Sequence, residues 1–255
     1  MTLPAYGTHG VGTPLVLLHA FPLSARMWQP QLAPLADVAI LITPDQRGFG
    51  ATPVGDAPPS LDTVADDLVE LLDELGLEQA VFGGLSMGGY VAMALARRHP
   101  ERIAGLLLAD TKATVDTPAA KANRERIASA VLARDSVALL AEEKIEDGLL
   151  GPGTEPELTA QVREMIADAS PAGVAWAQRA MAARPESLAA LRALDVPAAV
   201  VVGEHDALTP LAEARLVAEA LPDAELTVIP GVGHLSSLEA PESFNAAARA
   251  LLRRV

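Results

Sequence analysis

Short apolar runs recur along the chain, and each of them ends in turn-forming or polar residues. Runs of this length are too short for a helix. An uninterrupted series of apolar residues is typical of a strand that is buried on both faces. The six runs are PLVLLH, VAILITPD, AVFGGLS, IAGLLLAD, AAVVVGEHD and ELTVIPG. The pattern therefore predicts a sheet of buried, parallel strands.

Helical periodicity fills the stretches between these runs. The clearest example places apolar residues three and four apart on one face, with Ser60 as the predicted N-cap and Gly76 as the predicted stop. That face consists of Leu61, Val64, Leu68, Leu71, Leu72 and Leu75. Strands that alternate with helices predict an α/β fold, in which helices cover both faces of a mostly parallel sheet.

The strand signal disappears from Lys112 to about Leu194, where only amphipathic helical pieces remain. We therefore predict a single domain with a core formed by residues 1–111 and 195–255 and a helical cap inserted at 112–194. A peripheral helical layer without a role at the functional site is the alternative interpretation of the same pattern.

The composition narrows the class of protein. The 255 residues suffice for one large core, and the absence of cysteine excludes disulfides, thiolate metal sites and a cysteine nucleophile. The net charge of −14 would repel phosphate backbones and anionic lipids, so neither nucleic acid nor a membrane is an expected partner. The N-terminus has no targeting pattern, and no apolar stretch could span a bilayer. We therefore expect a cytoplasmic protein, whose oligomeric state the sequence leaves open.

Reactive side chains stand at the ends of the predicted strands. They are His19, Asp45, Ser86, Asp110, Asp206 and His234. In an open parallel sheet the ligand site forms outside the carboxyl ends of the strands. These side chains are therefore the candidates for chemistry.

Ser86 is the centre of a G-x-S-x-G pattern that follows a predicted strand and begins a predicted helix. A serine at such a sharp turn lies close to other backbone, so Gly84 and Gly88 remove collisions that side chains would cause. The amide of Met87 and the positive helix end can then stabilise an oxyanion. We expect Ser86 to be a nucleophile; a glycine-rich packing turn is the alternative.

A serine hydroxyl needs a base within hydrogen-bonding reach, and His234 is the best of the five histidines. It lies in a loop directly after the last predicted strand. His9 falls in a turn-rich segment and His99 at the end of a predicted surface helix, so both are expected to be solvated. His205 is expected to point away from the site if its neighbour Asp206 faces inward.

Two aspartates compete for the role of the acid that orients the base. Asp206 ends the strand AAVVVGEHD between the turn residues Gly203 and Pro210, and Asp110 ends the preceding strand. Both give the chain order Ser, Asp, His that is typical of this kind of site. We favour Asp206 and keep Asp110 as the alternative.

Five motifs together resemble the α/β-hydrolase superfamily, in its serine-nucleophile branch. They are HAFP at 19–22, DQRGFG at 45–50, GGLSMGG at 83–89, GEHD at 203–206 and GVGH at 231–234. Esterases, 3-oxoadipate enol-lactonases and cofactor-free haloperoxidases are similar in these places. The resemblance implies that the amide of Phe21 joins that of Met87 in an oxyanion hole, although Ala20 replaces the usual glycine.

The resemblance has further implications for residues around the site. It implies that Asp45 and Arg47 hold the oxyanion loop through a local ion pair, and that Gly48 and Gly50 turn the chain. Glu239 is interpreted as a loop or cap residue. Trp28 is interpreted as an anchor for the first helix, with a pocket-lining role as the alternative. Three cap residues are candidates for an apolar pocket floor or for plain core: Met165, Trp176 and Met181.

The sequence thus predicts a serine hydrolase with Ser86, Asp206 and His234 as catalytic residues. A small carboxylic ester or lactone is the expected substrate, because the predicted pocket has few charged candidates. No cofactor or metal is required. Haloperoxidase or perhydrolase, thioesterase and acyltransferase activities remain open, as does a non-catalytic binding protein. Dehalogenases and epoxide hydrolases are disfavoured because relatives with those activities use an aspartate nucleophile.

Overall fold

A computed structural model describes residues 3–255, and its centre is a seven-stranded sheet. The strands lie in the order β1-β3-β2-β4-β5-β6-β7, and all are parallel except β1, which pairs antiparallel with β3. Their bounds are Tyr6–Gly10 (β1), Thr13–Leu18 (β2), Ala39–Pro44 (β3), Ala80–Leu85 (β4), Ile103–Ala109 (β5), Ala198–Gly203 (β6) and Ala224–Ile229 (β7). The predicted α/β class with a mostly parallel sheet is confirmed.

The two edges of the sheet depart from the prediction. Strand β1 has no apolar run because all five of its residues are exposed, so His9 lies in a strand and not in a turn. Strand β7 was expected to be buried on both faces, and that was wrong. Only Ile229 of its six residues is buried, because an edge strand has a neighbour on one side only.

Helices cover both faces of the sheet. Their bounds are Gln29–Leu35 (α1), Leu61–Glu74 (α2), Met87–Arg98 (α3), Pro118–Arg134 (α4), Ala138–Glu142 (α5), Glu146–Leu149 (α6), Pro156–Ala167 (α7), Pro171–Ala183 (α8), Leu188–Ala193 (α9), Leu211–Ala220 (α10), Ser236–Glu239 (α11) and Pro241–Leu252 (α12). Helix α2 forms as predicted: the Ser60 hydroxyl accepts a hydrogen bond from the amide of Asp62 at 3.2 Å, and Gly76 has a φ of 67°.

Alternate residues of each central strand enter two separate cores. Val16 and Leu18 pack with α2, α3, α9 and α10, whereas Leu15 and Leu17 pack with α1 and α12. Helix α3 is therefore largely buried and is not the surface helix that was predicted. Trp28 anchors the second core, with its ring centroid 5.7 Å from that of Phe244.

Six helices, α4 to α9, separate β5 from β6, and we call residues 118–193 the helical segment. Helices α4 and α8 pack against each other within it. Among residues 3–255, no helix combines the length and apolar character needed to cross a bilayer. The helical segment follows the carboxyl end of β5. It therefore begins on the side of the sheet where the parallel strands end and where the candidate residues lie.

Candidate active site

Ser86 lies at a sharp turn between β4 and α3, with a φ of 56° and a ψ of −110°. Its amide donates to the carbonyl of Ala109 at 2.9 Å, and its carbonyl accepts from the Thr111 hydroxyl at 2.9 Å. A Cβ at Gly84 would collide with the backbone of Gly88, so the predicted need for a glycine there is confirmed. The tightly held turn fixes the serine at the N-terminus of a twelve-residue helix.

His234 follows β7 in a buried loop, and its ring is held from behind. Its Nδ1 lies 2.8 Å from Oδ2 of Asp206. The other oxygen of Asp206 accepts from the amides of Leu208 and Thr209, each at 2.9 Å. The backbone amide of His234 donates to the carbonyl of Leu149 at 3.1 Å, which ties the loop to the helical segment.

The two members of this pair shift each other's pKa in opposite directions. Burial acts most strongly and favours the neutral form of His234, but the hydrogen bond and charge of Asp206 together raise its pKa above the ordinary value. Burial likewise opposes the ionised form of Asp206, yet its hydrogen bonds from His234 and Thr209 and the histidine charge lower its pKa. The carboxylate therefore stabilises a protonated imidazole beside it.

Asp110, the rival acid, is fully buried but makes other contacts. One oxygen accepts from the amide of Gly203 at 2.8 Å, and the other accepts from the Ser236 hydroxyl. Burial is the main reason that the pKa of Asp110 rises to about 7. Of the two aspartates, Asp206 is the one hydrogen-bonded to His234.

Ser86 and His234 line one cavity of about 500 Å³, and Phe21 forms part of its wall. Residues of the helical segment supply much of the lining, including Met181 but neither Met165 nor Trp176. The expectation of few charged residues was wrong. Charged side chains at the cavity are Lys112, Arg124, Glu143 and Lys144. They are spread over residues 112–144, and apart from the adjacent Glu143 and Lys144 no local pattern groups them.

The loop after β2 places Phe21 in the wall of the cavity that Ser86 also lines, and a buried histidine holds this loop. His19 Nε2 accepts from the amide of Gln46 at 2.9 Å, while the Gln46 side chain donates to the His19 carbonyl at 2.7 Å. Burial lowers the pKa of His19 to about 4, so the ring stays neutral. Met87, the other predicted oxyanion residue, is buried directly after Ser86 at the start of α3.

The expected ion pair between Asp45 and Arg47 does not form. Arg47 instead makes a buried bidentate pair with Asp67 of α2, at 2.9 and 2.7 Å. Asp45 accepts from the amides of Ala25 and Ala51, each at 2.9 Å. Both side chains thus support the same loops through partners that local sequence does not reveal. Gly48 and Gly50 do turn the chain, with φ values of 85° and 52°.

Glu239 has a larger role than that of a cap residue. One oxygen accepts from the Gly151 amide at 2.6 Å and the Thr154 hydroxyl at 2.9 Å. The other accepts from the amides of Gly233 at 3.1 Å and Leu235 at 3.3 Å. The carboxylate therefore joins the helical segment to both neighbours of His234. The only feature of the sequence that could have indicated this role is the position of Glu239 five residues after His234.

The remaining histidines lie away from this site. His9 and His205 are exposed, and His99 Nε2 lies 2.8 Å from a carboxylate oxygen of Asp66. Trp28 is fully buried against Phe244 and does not line the cavity.

Comparison with known proteins identifies the family. Residues 13–241 match the alpha/beta hydrolase fold family, and the chain belongs to it. It is 31% identical to 3-oxoadipate enol-lactonase 2 of Acinetobacter baylyi, over 94% of this chain and 88% of that one. A thermophilic esterase from Thermogutta terrifontis, solved with malate bound, is 42% identical with a TM-score of 0.92, over 98% and 92%. Bromoperoxidase from Bacillus anthracis is 26% identical with a TM-score of 0.85, over 97% and 94%. The resemblance predicted from the motifs is confirmed.

Proposed function

We propose that this chain is a serine hydrolase that cleaves a small carboxylic ester or lactone through an acyl-enzyme. One observation carries the proposal. Ser86 and His234 line the same cavity, while Nδ1 of His234 is hydrogen-bonded to the buried carboxylate of Asp206 at 2.8 Å. A nucleophile, a base and an acid that orients the base are the three groups that acyl transfer requires.

In the first half-reaction, Ser86 Oγ attacks the acyl carbon while His234 Nε2 accepts the hydroxyl proton. Asp206 holds Nδ1–H and stabilises the imidazolium that forms. The backbone amides of Phe21 and Met87 donate to the oxyanion. The intermediate then expels an alkoxide, which receives the proton from His234.

Water completes the reaction by attacking the acyl-serine, with His234 again as the base. Relatives named as an enol-lactonase and an esterase support water as the acceptor. A peroxide acceptor would use the same acyl-serine, and the bromoperoxidase neighbour makes it the second candidate. Neither route requires a cofactor or a metal.

Residues 112–194 act in this proposal as a cap over the core. Ala120, Asn123 and Ile127 of α4 and Met181 of α8 form walls of the cavity that contains Ser86. A volume of about 500 Å³ lies within the ordinary range of small-molecule sites. In this proposal the cap therefore shapes the part of the cavity that receives the substrate.

A fluorophosphonate probe tests the nucleophile. Intact mass and peptide mapping should show a single adduct on Ser86, and Ser86→Ala should take up no label. The same variant should lower ester turnover by about 10⁴- to 10⁶-fold without loss of folding. Well-folded protein that remains unlabelled, or a Ser86→Ala variant that retains turnover, would contradict the proposal.

A further inference from the structure

Basic side chains at the cavity stand out against the acidity of the whole chain. The protein has a formal net charge of −14, yet Lys112, Arg124 and Lys144 all line the cavity beside Ser86. The side chains of Lys112 and Arg124 are only 21% and 20% exposed. Partly buried charges cost free energy, so their presence needs a reason.

A structural reason accounts for part of this charge. Asp116 is buried, with 1% of its side chain exposed, and it pairs with three cations. It lies 3.4 Å from Lys112, 2.5 Å from Arg124 and 2.8 Å from Arg184. One carboxylate neutralises a single positive charge, so this cluster retains an excess of positive charge at the cavity wall.

Some donors of these cations have no acceptor within residues 3–255. Arg124 donates from Nε to Asp116 and from Nη1 to Gln178, at 2.5 and 2.8 Å, which leaves Nη2 unused. Lys144 makes no ion pair in the described part of the chain. Glu143, the one acidic residue of the lining, is already bound by Arg126 at 2.7 and 2.8 Å.

Lys112, Arg124 and Lys144, which we call the positive wall, line the same cavity as the proposed nucleophile. The Thr111 hydroxyl donates to the carbonyl of Ser86 at 2.9 Å, and Lys112 is the following residue. A substrate acylating Ser86 therefore has part of its structure within the cavity that Lys112 and Arg124 line.

We propose that the substrate is an ester or lactone that carries a carboxylate group, and that Lys112 and Arg124 bind this group. The inference rests on the proposed function and narrows its substrate class. A carboxylate is favoured because these two cations already bind the carboxylate of Asp116. An unoccupied donor of a partly buried cation gains a charge-assisted hydrogen bond when the substrate enters.

Two matched pairs of esters test the proposal. Monoethyl succinate and ethyl levulinate differ on the acyl side by a carboxylate oxygen in place of a methyl group. 3-Acetoxypropanoate and 4-acetoxybutan-2-one differ in the same way on the alcohol side. The readout is the ratio of kcat/KM for the anionic ester to kcat/KM for its neutral partner, and comparison of this ratio between wild type and variants cancels differences in intrinsic reactivity. We expect the anionic member to be favoured by about tenfold or more in at least one pair.

Variants of Lys112 show whether this residue causes the preference. Lys112→Met should reduce the anionic-to-neutral ratio by about tenfold, and Lys112→Arg should retain most of it. Lys121→Met is the matched control, because Lys121 is exposed on α4 and does not line the cavity. It removes the same charge and should leave the ratio unchanged. If Lys112→Met does not fold, Arg124→Met replaces it and should likewise reduce the ratio by about tenfold, because Arg124 is the other residue assigned to the carboxylate.

The outcomes separate this inference from the proposed function. Equal or better turnover of the neutral ester in both pairs overturns the inference, as does an unchanged ratio in folded Lys112→Met. Protein that the fluorophosphonate labels but that hydrolyses none of the four esters also overturns it. Failure of the proposed function has a different signature, namely no label on Ser86 and no turnover of any ester.

Discussion

Asp110 and Asp206 show how the surroundings of a residue decide its role. Both are buried aspartates near the ends of neighbouring strands. Asp110 directly follows β5, and Asp206 lies three residues after the end of β6. Asp206 receives two backbone amides and contacts His234, so its pKa is lowered and the group is ionised. Asp110 has less compensation for its burial, and its pKa rises to about 7. The same side chain is thus a carboxylate with a lowered pKa in one place and a buried group with a raised pKa in the other.

The isosteric variants Asp206→Asn and Asp110→Asn should differ in their effect on turnover. An asparagine at 206 no longer stabilises the imidazolium, so we expect kcat to fall by about 10³- to 10⁴-fold. At 110 the loss should remain below about tenfold. Steady-state kinetics on a small ester measure both, and circular dichroism checks the folding of each variant. A reversed ranking would assign the acid to Asp110.

The pH dependence should reflect the raised pKa of His234. The base acts only in its neutral form, so kcat/KM should fall as pH falls, with a midpoint above the ordinary histidine value of 6.5. The charge of Asp110 contributes to the raised pKa. Asp110→Asn should therefore move the midpoint to lower pH. A neutral ester is the substrate for this profile, and a wild-type midpoint at or below 6.5 would contradict the assignment.

Two loops meet at Glu239, which ends α11. Its carboxylate binds the loop between α6 and α7 through Gly151 and Thr154, and the loop between β7 and α11 through Gly233 and Leu235. Four donors are directed at the two oxygens of this partly buried side chain, and a glutamine could accept at only one of the two positions. The carboxylate therefore positions His234 relative to the helical segment.

Glu239→Gln should lower the free energy of unfolding by about 2 kcal/mol, because one pair of donors then faces an NH₂ group. Loss of the negative charge, which contributes to the raised pKa of His234, should also move the acid side of the activity profile to lower pH. Urea unfolding and the pH profile measure these effects. Glu186→Gln, in an exposed loop, is the control and should change neither. A stability loss with an unchanged profile would limit Glu239 to a structural role.

At the scale of the whole molecule, the helical segment and the sheet share their cores. Trp176 and Met181 of α8 belong to the core that contains Val16, and Ile127 of α4 belongs to the one that contains Leu15. Trp176 also donates from its indole nitrogen to the carbonyl of Ala57 at 2.9 Å. The segment and the sheet thus pack against each other through shared cores, and the single-domain organisation stays a prediction.

The two tryptophans can report on this cooperativity, because Trp28 lies beside the sheet and Trp176 lies in the helical segment. In Trp28→Phe and Trp176→Phe, the remaining fluorescence should follow the same urea midpoint as the far-ultraviolet circular dichroism of the same variant. Shared cores require the parts to unfold together. An earlier fluorescence midpoint for Trp176 alone would show a separately unfolding cap.

Much of this protein was determined by local sequence. Apolar runs predicted the six parallel strands, Ser60 and Gly76 predicted the ends of α2, and Gly84 and Gly88 predicted the tight turn at Ser86. These features follow from the conformational preferences of neighbouring residues and from the requirement to bury apolar side chains. The exposed strand β1 escaped detection because it buries nothing that a hydrophobic pattern could show.

Only the tertiary structure decided which polar groups meet. It brought Asp206 rather than Asp110 into a hydrogen bond with His234. It also paired Arg47 with Asp67 rather than Asp45, and it joined Glu239 to Gly151. It also brought a positive wall into the cavity of an acidic protein. The physical reason is that a charge or hydrogen bond has no periodicity along the chain. Its partner is chosen by packing between elements that lie far apart in sequence.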